Sequence, residues 1–188
     1  MSESQLISRD LGERIRLVAL DVDGVLTDGG IYLSASAGGE RVEMKRFEIT
    51  DGLGIRLLKD AGIEVAIVTG RESEAVRLRA EELGIVECHQ DRSAAKLPIM
   101  RSLIERLGLS WEDVAFFGDD LPDLPLLRRV GLPAAVGNAV PEVRAEARWV
   151  ARKHGGSGAV REFAEALLRS RGVWSESVSR YVSEREAG

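Results

Sequence analysis

Residues 15–28 read IRLVALDVDGVLTD, from Ile15 to Asp28. The first six are mostly aliphatic and include no glycine or proline, which is typical of a buried strand. Asp21 and Asp23 come directly after this strand, and residues two apart in an extended chain point to the same side. Both carboxylates are therefore expected to lie together beyond the carboxyl end of the strand, where open α/β sheets bind their ligands.

Two carboxylates this close together repel each other, and something has to neutralise them. A hard divalent cation, a shared proton, or both together would do so. The alternative is a plain turn, because the Asp and Gly residues in the segment 21–24 also have ordinary roles in loops. This stretch alone does not separate a metal site from a turn.

The composition is that of one soluble globular domain. The chain has 188 residues, of which 44% are hydrophobic and 30% charged, and its net charge of −5 argues against nucleic acid as a partner. The single cysteine, Cys88, excludes an internal disulfide framework and suits a reducing compartment. No apolar run approaches the ~18 residues of a membrane span, and the polar N-terminus has no signal core. We therefore expect a cytoplasmic protein with no membrane partner.

Strand-like and helix-like segments alternate along the rest of the chain. Apolar runs typical of strands cover residues 63–68, 85–88, 113–117, 132–136 and 149–150. Apolar residues at helical spacing cover residues 55–61, 72–83, 96–107, 124–127, 141–147 and 157–168. This alternation predicts an α/β fold, a doubly wound, Rossmann-like parallel sheet with helices on both faces.

A β-hairpin is predicted after the first strand, within residues 30–47. Two strand-like segments flank a turn of small residues, and one apolar side is expected to contain Ile31, Leu33, Val42 and Met44. We divide the chain into an N-terminal extension (1–14), an α/β domain (15–170) and a polar C-terminal tail (171–188), which could be disordered.

Polar residues follow the three strongest strands and open one of the helices; they are Asp21, Asp23, Thr69, Asp119, Asp120 and Lys96. In a doubly wound sheet, these strand ends can meet at one crevice. Clustered carboxylates, a hydroxyl and an ammonium together suit phosphoryl transfer, in which catalysis is mostly positioning and charge stabilisation.

Four side chains have predicted catalytic roles in such a reaction. Asp21 would attack phosphorus and become an aspartyl phosphate. Asp23 would protonate the leaving oxygen and then deprotonate the attacking water. Thr69 would hydrogen-bond a phosphoryl oxygen, and Lys96 would balance the charge of the nucleophile and the phosphate.

The predicted metal is Mg²⁺, which prefers six oxygen ligands and keeps several waters, so that few protein ligands suffice. Asp21, Asp119 and the backbone carbonyl of Asp23 are the expected ligands. Asp120 and Asp123 are expected to be outer-shell partners of these ligands.

The polar segments also carry a family resemblance. DVDGVLTD at 21–28, TGR at 69–71, Lys96 and GDDLPD at 118–123 resemble, in order, the four motifs of haloacid-dehalogenase-superfamily phosphatases. DGLGIR at 51–56 and GGSGAVRE at 155–162 make the chain similar to the 3-deoxy-D-manno-octulosonate 8-phosphate phosphatases of that superfamily. The resemblance covers about residues 15–168.

This resemblance implies an activity, an assembly and a set of substrate contacts. It implies a core without a cap domain, a Mg²⁺-dependent phosphatase acting on a sugar-acid phosphate, and a homotetramer. The hairpins of four subunits would build that tetramer, and a neighbouring subunit would help to close each site. The implied substrate-binding residues are Asp51, Gly52, Arg56, Gly70, Arg71 and Arg79.

One segment departs from the family pattern. Residues 48–52 read EITDG, where the family often has NVRDG, so that an arginine that could contact the substrate is missing. The alternatives are therefore a phosphatase for nonulosonate 9-phosphates, which are sialic-acid-type sugars, and a non-catalytic scaffold that kept the fold. A phosphomutase needs a closed site, and the chain has no insertion of the size of a cap.

Overall fold

A computed structural model describes residues 6–186 of the chain. Its strands are β1 (Leu17–Leu20), β2 (Tyr32–Ala35), β3 (Arg41–Met44), β4 (Glu64–Thr69), β5 (Glu87–Gln90), β6 (Val114–Gly118), β7 (Leu132–Ala135) and β8 (Trp149–Val150). Its α-helices are α1 (Arg9–Arg14), α2 (Ile49–Asp60), α3 (Glu74–Glu82), α4 (Lys96–Leu107), α5 (Leu124–Leu127), α6 (Pro141–Glu146), α7 (Ala159–Ser170) and α8 (Trp174–Glu186).

Six strands form one parallel sheet in the order β5-β4-β1-β6-β7-β8. β1 lies in the interior, between β4 and β6, and all four of its residues are buried. Since the chain goes from β1 to one side of the sheet and later returns to the other side, the ends of β1, β4 and β6 lie at the switch point of the topology. The predicted α/β fold without a cap domain is confirmed.

The core is packed between this sheet and its helices. Phe117 on β6 stacks on Phe163 of α7 with ring centroids 5.3 Å apart, and Trp149 meets Phe163 edge-on at 5.2 Å. Gly54 lets α2 approach α7 closely, because a Cβ there would lie 2.9 Å from the Cα of Arg161. The α2/α7 pair therefore packs closely together, and α7 packs against the sheet.

Most predicted elements are present, and α4 begins and ends at the predicted residues. The strand predicted at 85–88 starts two residues later. The amide of Ile85 donates to the carbonyl of Ala80 and the amide of Gly84 to that of Glu81, which closes the end of α3. Ile85 therefore belongs to the helix cap, and pairing with β4 begins only at Glu87.

The hairpin is present, but the prediction of one apolar side was wrong. In the pairing of β2 with β3, Tyr32 lies opposite Met44 and Leu33 opposite Glu43. Directly opposed residues share a face, and the faces alternate along each strand. One face thus carries Tyr32, Met44 and Val42, whereas Leu33 lies on the face of Glu43.

The two ends of the chain add helices to the domain. The side chain of Ser8 caps α1 by accepting the amide of Leu11. At the other end of the chain, the guanidinium of Arg171 donates to the carbonyl of Ile15 at 2.8 Å. The segment predicted as a polar tail contains α8, in which Trp174 lies 5.3 Å from the guanidinium of Arg161. Within the described residues, no helix combines the length and apolar character needed to cross a membrane.

Candidate active site

Three carboxylates meet at the switch point of the sheet. Asp21 follows β1, Asp119 follows β6, and Asp123 ends the short 3-10 turn after it. One ligand oxygen of each lies within 4.8 Å of the others. Backbone bonds hold two of them, because the amide of Asp21 donates to Phe117 and the carbonyl of Asp119 accepts from Val140. The ends of β1 and β6 therefore meet as predicted.

Lys96 places its ammonium inside this acidic cluster. It is the first residue of α4, and its Nζ lies 2.8 Å from Asp21 Oδ1 and 2.6 Å from Asp123 Oδ1. The lysine side chain is only 5% exposed, so that this charge cannot be replaced by water. One ammonium facing three carboxylates leaves the cluster with an excess of negative charge.

This excess appears in the pKa values of the cluster. Burial and the charge of Asp123 raise the pKa of Asp21 to about 6, although Lys96 lowers it. Burial and the charges of Asp21 and Asp123 raise the pKa of Asp119 to about 8. Burial on its own lowers the pKa of Lys96, but Asp21 and Asp123 outweigh burial and raise it overall.

The residues present fit a hard divalent cation. Only oxygen donors face one another in the cluster, which is the ligand type of Mg²⁺, and their excess charge is what such an ion compensates. The backbone at Gly24, where φ is +88°, also lies close to the cluster, because a Cβ there would be 2.0 Å from Asp119 Oδ2. The cluster can therefore hold a metal ion.

The two predicted outer-shell carboxylates lie in different places. Asp123 is buried, binds Lys96, and accepts the amide of Asp119 at 2.9 Å, so it orients both neighbours. Asp120 is exposed and accepts the amide of Leu121 at 2.7 Å. The structure thus places Asp123, and not the side chain of Asp120, where it supports the cluster.

Asp23 lies outside the three-carboxylate cluster and faces two cations. Lys45 Nζ donates to Asp23 Oδ1, and Arg71 Nε lies 3.6 Å from Asp23 Oδ2. Arg71 also pairs with Glu43 at 3.4 Å. Sequence reasoning missed Lys45 and Glu43; the signal was the charged alternation at positions 41, 43 and 45, which puts these side chains on one face of β3.

Thr69 and Gly70 end β4 at the same edge of the sheet. Thr69 is buried, and its carbonyl accepts the amide of Asp91 at 3.0 Å. Gly70 leaves room for Ala94, since a Cβ on Gly70 would lie 2.9 Å from the Cβ of Ala94. Ala94 has a φ of 54°, a conformation that costs of order 1 kcal/mol and directly precedes the turn that presents Lys96.

Four residues predicted to bind substrate lie away from the acidic cluster in this chain. Asp51 is 1% exposed and its Oδ1 accepts the amide of Arg161 at 2.8 Å, so it caps α7 and is closed to a ligand. Gly52 is buried against Arg79. Arg56 pairs with Asp60 and Glu184.

Arg79 and Arg56 line a cavity of about 410 Å³ between α2, α3 and α8, and no residue of the acidic cluster lines it. Arg79 pairs with Glu82 at 2.7 Å and lies over the ring of Phe47. Within this chain, the cavity is therefore separate from the acidic cluster.

The glycine loop at 155–158 supports the site from behind. Gly155 packs so closely that a Cβ there would lie 1.7 Å from the carbonyl oxygen of Gly24. Its amide donates to Asn138 Oδ1 at 3.0 Å, and Arg46 Nη1 donates to the carbonyl of Gly156 at 2.8 Å. These contacts indicate that the loop is a turn that packs against and supports the backbone of residues 24–28.

Comparison with protein families matches residues 91–163 to the haloacid dehalogenase-like hydrolases. The matched segment includes Lys96, Asp119 and Asp123, three members of the site described above. This match agrees with the parallel sheet and its acidic edge and, together with the relatives described next, defines the class of the protein as a haloacid dehalogenase-like hydrolase.

Individual relatives narrow the class. The chain is 45% identical to 3-deoxy-D-manno-octulosonate 8-phosphate phosphatase KdsC of Escherichia coli over 88% of this chain and 85% of that protein. A similar solved structure is that of 3-deoxy-D-manno-octulosonate 8-phosphate phosphatase from Moraxella catarrhalis, in complex with magnesium, phosphate and KDO (3-deoxy-D-manno-octulosonate). It is 38% identical to this chain and superposes with a TM-score of 0.85. The match covers 92% of this chain and 97% of that one. The chain belongs to the 3-deoxy-D-manno-octulosonate 8-phosphate phosphatase family.

Proposed function

We propose that the protein is a Mg²⁺-dependent phosphatase that hydrolyses 3-deoxy-D-manno-octulosonate 8-phosphate through an aspartyl phosphate on Asp21. One observation carries the proposal. The Asp21 carboxylate ends the central strand 2.8 Å from the Lys96 ammonium and in one cluster with Asp119, at the switch point of a sheet. This arrangement supports the assignment of Asp21 as the nucleophile, Lys96 as the charge-balancing cation, and Asp21 and Asp119 as metal ligands.

Asp21 attacks the phosphorus atom, and the bond between phosphorus and the sugar oxygen breaks. Lys96 holds the attacking carboxylate from one side, because its Nζ binds Asp21 Oδ1 and is itself fixed by Asp123. Thr69, at the end of the neighbouring strand, donates its hydroxyl to a phosphoryl oxygen. Asp21 and Thr69 are held by strand ends and Lys96 by the start of α4, so little reorganisation is needed during transfer.

Asp23 moves the protons. It protonates the sugar oxygen as that oxygen leaves, and it then takes a proton from the water that attacks the phosphoryl group on Asp21. Its side chain is 22% exposed, more than that of Asp21, which suits a group that has to meet both the leaving oxygen and water. The second step releases phosphate and regenerates the Asp21 carboxylate.

Asp21, Asp119 and the carbonyl of Asp23 would hold Mg²⁺, with Asp123 behind them. The ion supplies positive charge that screens the carboxylate from the phosphate dianion and stabilises charge on the phosphoryl oxygens.

A cavity beside Asp23 is a candidate site for the sugar acid. It has a volume of about 410 Å³ and its lining includes Gly70, Arg71, Glu43 and Ser73. Arg71 is 44% exposed, and its guanidinium can pair with the carboxylate of a sugar acid in bidentate fashion. Arg56 and Arg79 do not line this cavity, so we propose that they contact substrate bound to a neighbouring subunit.

A nonulosonate 9-phosphate is the second candidate substrate. The observation that favours it is the segment 48–50, where Glu48 bonds Arg46 and Thr50 and no arginine projects from the start of α2. A non-catalytic scaffold is the third candidate. The retained cluster argues against a scaffold, because like charges that are buried together destabilise the fold, and a protein without a reaction to catalyse gains nothing from keeping them.

Phosphate release tests these candidates. The purified protein with Mg²⁺ is given octulosonate 8-phosphate, a nonulosonate 9-phosphate and p-nitrophenyl phosphate at matched concentrations. The proposal predicts the highest kcat/KM with octulosonate 8-phosphate. A preference for the nonulosonate ester would replace the substrate, and no release from any ester would support the scaffold.

We further propose a cytoplasmic homotetramer that acts in lipopolysaccharide biosynthesis. Residues 15–170 would form its catalytic domain, with residues 1–14 and 171–188 as extensions. The hairpin supports this assembly, because Tyr32 and Met44 are 55% and 54% exposed on the same face. A two-stranded hairpin is marginal alone, and symmetric association would bury this face.

A further inference from the structure

The end of β3 brings a buried cation to Asp23. Lys45 directly follows the last residue of the strand, and its side chain has no exposed surface. Its Nζ donates to Asp23 Oδ1, whereas the Asp23 side chain remains 22% exposed. Lys45 is therefore shielded from a ligand that enters the crevice, and Asp23 is open to it.

Glu43 holds Lys45 from the opposite side. The two residues share a face of β3, and Glu43 Oε1 lies 3.8 Å from Lys45 Nζ. The other oxygen, Oε2, lies 3.2 Å from Arg41 and 3.4 Å from Arg71. Oε1 is buried and has no hydrogen-bond partner among residues 6–186, so a shift of Lys45 would leave it without its nearest cation.

The remaining oxygen of Asp23 has a looser contact. Arg71 Nε is 3.6 Å from Asp23 Oδ2, which is beyond hydrogen-bond distance. With Oδ1 held by Lys45, Oδ2 is the oxygen that can meet the leaving group and later the water. The carboxylate is thus fixed at one end and free at the other.

From these contacts we infer that Lys45 is a positioning residue for the proton transfers of Asp23, and that Glu43 keeps Lys45 in place. The inference rests on the proposed function and adds two residues that lie outside its four sequence motifs. In the first step, the proton moves from Asp23 to the sugar oxygen while the phosphorus–oxygen bond breaks and the bond to Asp21 forms. In the second, Asp23 takes a proton from water while the water oxygen bonds to phosphorus and the bond between phosphorus and Asp21 breaks.

Esters with different leaving groups separate this role from a structural one. A sugar alkoxide is a strong base and needs a proton in order to leave, whereas p-nitrophenolate leaves without one. Loss of Asp23 positioning should therefore slow hydrolysis of the sugar phosphate far more than hydrolysis of the aryl phosphate. General damage to the fold, the metal site or Asp21 would slow both.

The experiment compares the wild type, Lys45→Met and Lys45→Arg by the rate at which the leaving group is released in a single turnover, with octulosonate 8-phosphate and p-nitrophenyl phosphate at saturating ester and Mg²⁺. This rate does not include the attack of water on the Asp21 phosphate, which is the same step for both esters. For Lys45→Met, we expect a loss of at least ~30-fold on the sugar phosphate and of less than ~3-fold on the aryl phosphate. Lys45→Arg should recover most of the difference, because it keeps the charge. The control is Arg106→Met, since Arg106 pairs with Glu87 at 2.6 Å near the end of α4 that is opposite Lys96; it should change neither rate.

Equal losses on the two esters, or no loss on either, would overturn the inference. If circular dichroism shows that Lys45→Met does not fold, Glu43→Gln takes its place. Glu43→Gln should also slow the reaction of the sugar phosphate more than that of the aryl phosphate, but by a smaller factor than Lys45→Met. Without that difference, the inference also fails. A wild-type protein that hydrolyses no phosphate ester would instead refute the proposed function itself.

Discussion

The carboxylate of Asp51 caps a helix that lies 110 positions further along the chain: its Oδ1 accepts the amide of Arg161 at 2.8 Å. Its second oxygen is buried and has no hydrogen-bond partner in the described part of the chain. Burial therefore raises the pKa of Asp51 to about 6, although the amides of Arg161 and Gly158 lower it. This bond links α2 to α7 and sets the position of the glycine loop behind Gly24.

Asp51→Asn should make stability less dependent on pH. The folded-state pKa of about 6 lies above the ordinary 3.8, so the folded state holds the proton more tightly, and this stabilisation is lost as the pH rises from about 4 through 6. As the pH rises from about 4 to 6, the free energy of unfolding of Asp51→Asn should therefore increase by about 3 kcal/mol relative to that of the wild type. Urea unfolding with chelator at a series of pH values measures it, and a constant difference would contradict the buried charge.

Asp21→Asn should abolish turnover and preserve the fold. The amide oxygen can still accept from Lys96, which lies 2.8 Å from Asp21 Oδ1, but the attacking charge is gone. We expect a loss in kcat of at least ~10³-fold. Asp113→Asn, which changes a carboxylate at the turn before β6, is the matched control. If the activity of the Asp21 variant were within tenfold of that of the wild type, the assignment of Asp21 as the nucleophile would be wrong.

Mg²⁺ binding should release a proton at neutral pH. The pKa of Asp119 is raised to about 8 by burial and by Asp21 and Asp123, so this carboxyl holds a proton at pH 7 that the ion displaces. Calorimetric titration at pH 7 in two buffers of different ionisation enthalpy should count about one proton per ion, falling towards zero above pH 9. The same heat in both buffers at pH 7 would argue against Asp119 as a ligand.

Turnover itself should require a small hard cation. Exhaustive chelation should abolish phosphate release and Mg²⁺ should restore it. Ca²⁺ should substitute poorly, because its larger and looser shell misplaces the carboxylate of Asp21. Full activity after chelation would exclude the metal role.

Gly155→Ala should destabilise the protein and weaken the metal site. The added Cβ would lie 1.7 Å from the carbonyl oxygen of Gly24, and Gly24 itself packs against Asp119. We expect a loss of about 2 kcal/mol or more in the free energy of unfolding and a higher Mg²⁺ requirement. Gly38→Ala is the control, since the nearest atom to its Cβ would be Ser36 Oγ at 3.7 Å. Equal stability of the two variants would show that the loop can move away.

Val42→Asp with Met44→Asp should dissociate the proposed tetramer. Val42 and Met44 lie on the face of β3 that is shared with Tyr32. Burying the introduced aspartate charges between subunits is costly. Sedimentation equilibrium should show smaller species, with a raised KM and a lowered kcat. Val86→Asp puts the same charge at a residue that is 91% exposed outside the hairpin and should leave the assembly intact. A fully active wild-type monomer would refute the assembly.

Sequence patterns predicted the elements and the acidic edge because both depend on local order. Periodicity located α4 to the residue, and the polar residues after β1 and β6 had to share an edge once the strands were parallel. The roles of Asp120 and Asp51 were not predictable in this way. An aspartate that follows a strand, as Asp120 does, can cap its own turn or contribute to the site, and one within a helix, as Asp51 is, can face solvent or another helix. Only the packing of the backbone determines which of these contacts forms.

The sequence by itself determined the sheet, the order of the motifs and the approach of Asp21 to Asp119, since strand period and chain order dictate them. Only the tertiary structure decided that Lys45 reaches Asp23 from β3, and that Asp51 serves α7. The physical reason is that a strand pattern gives two faces but does not say what each face meets. Contacts between residues far apart in the chain are selected by packing and charge, after the local elements have formed.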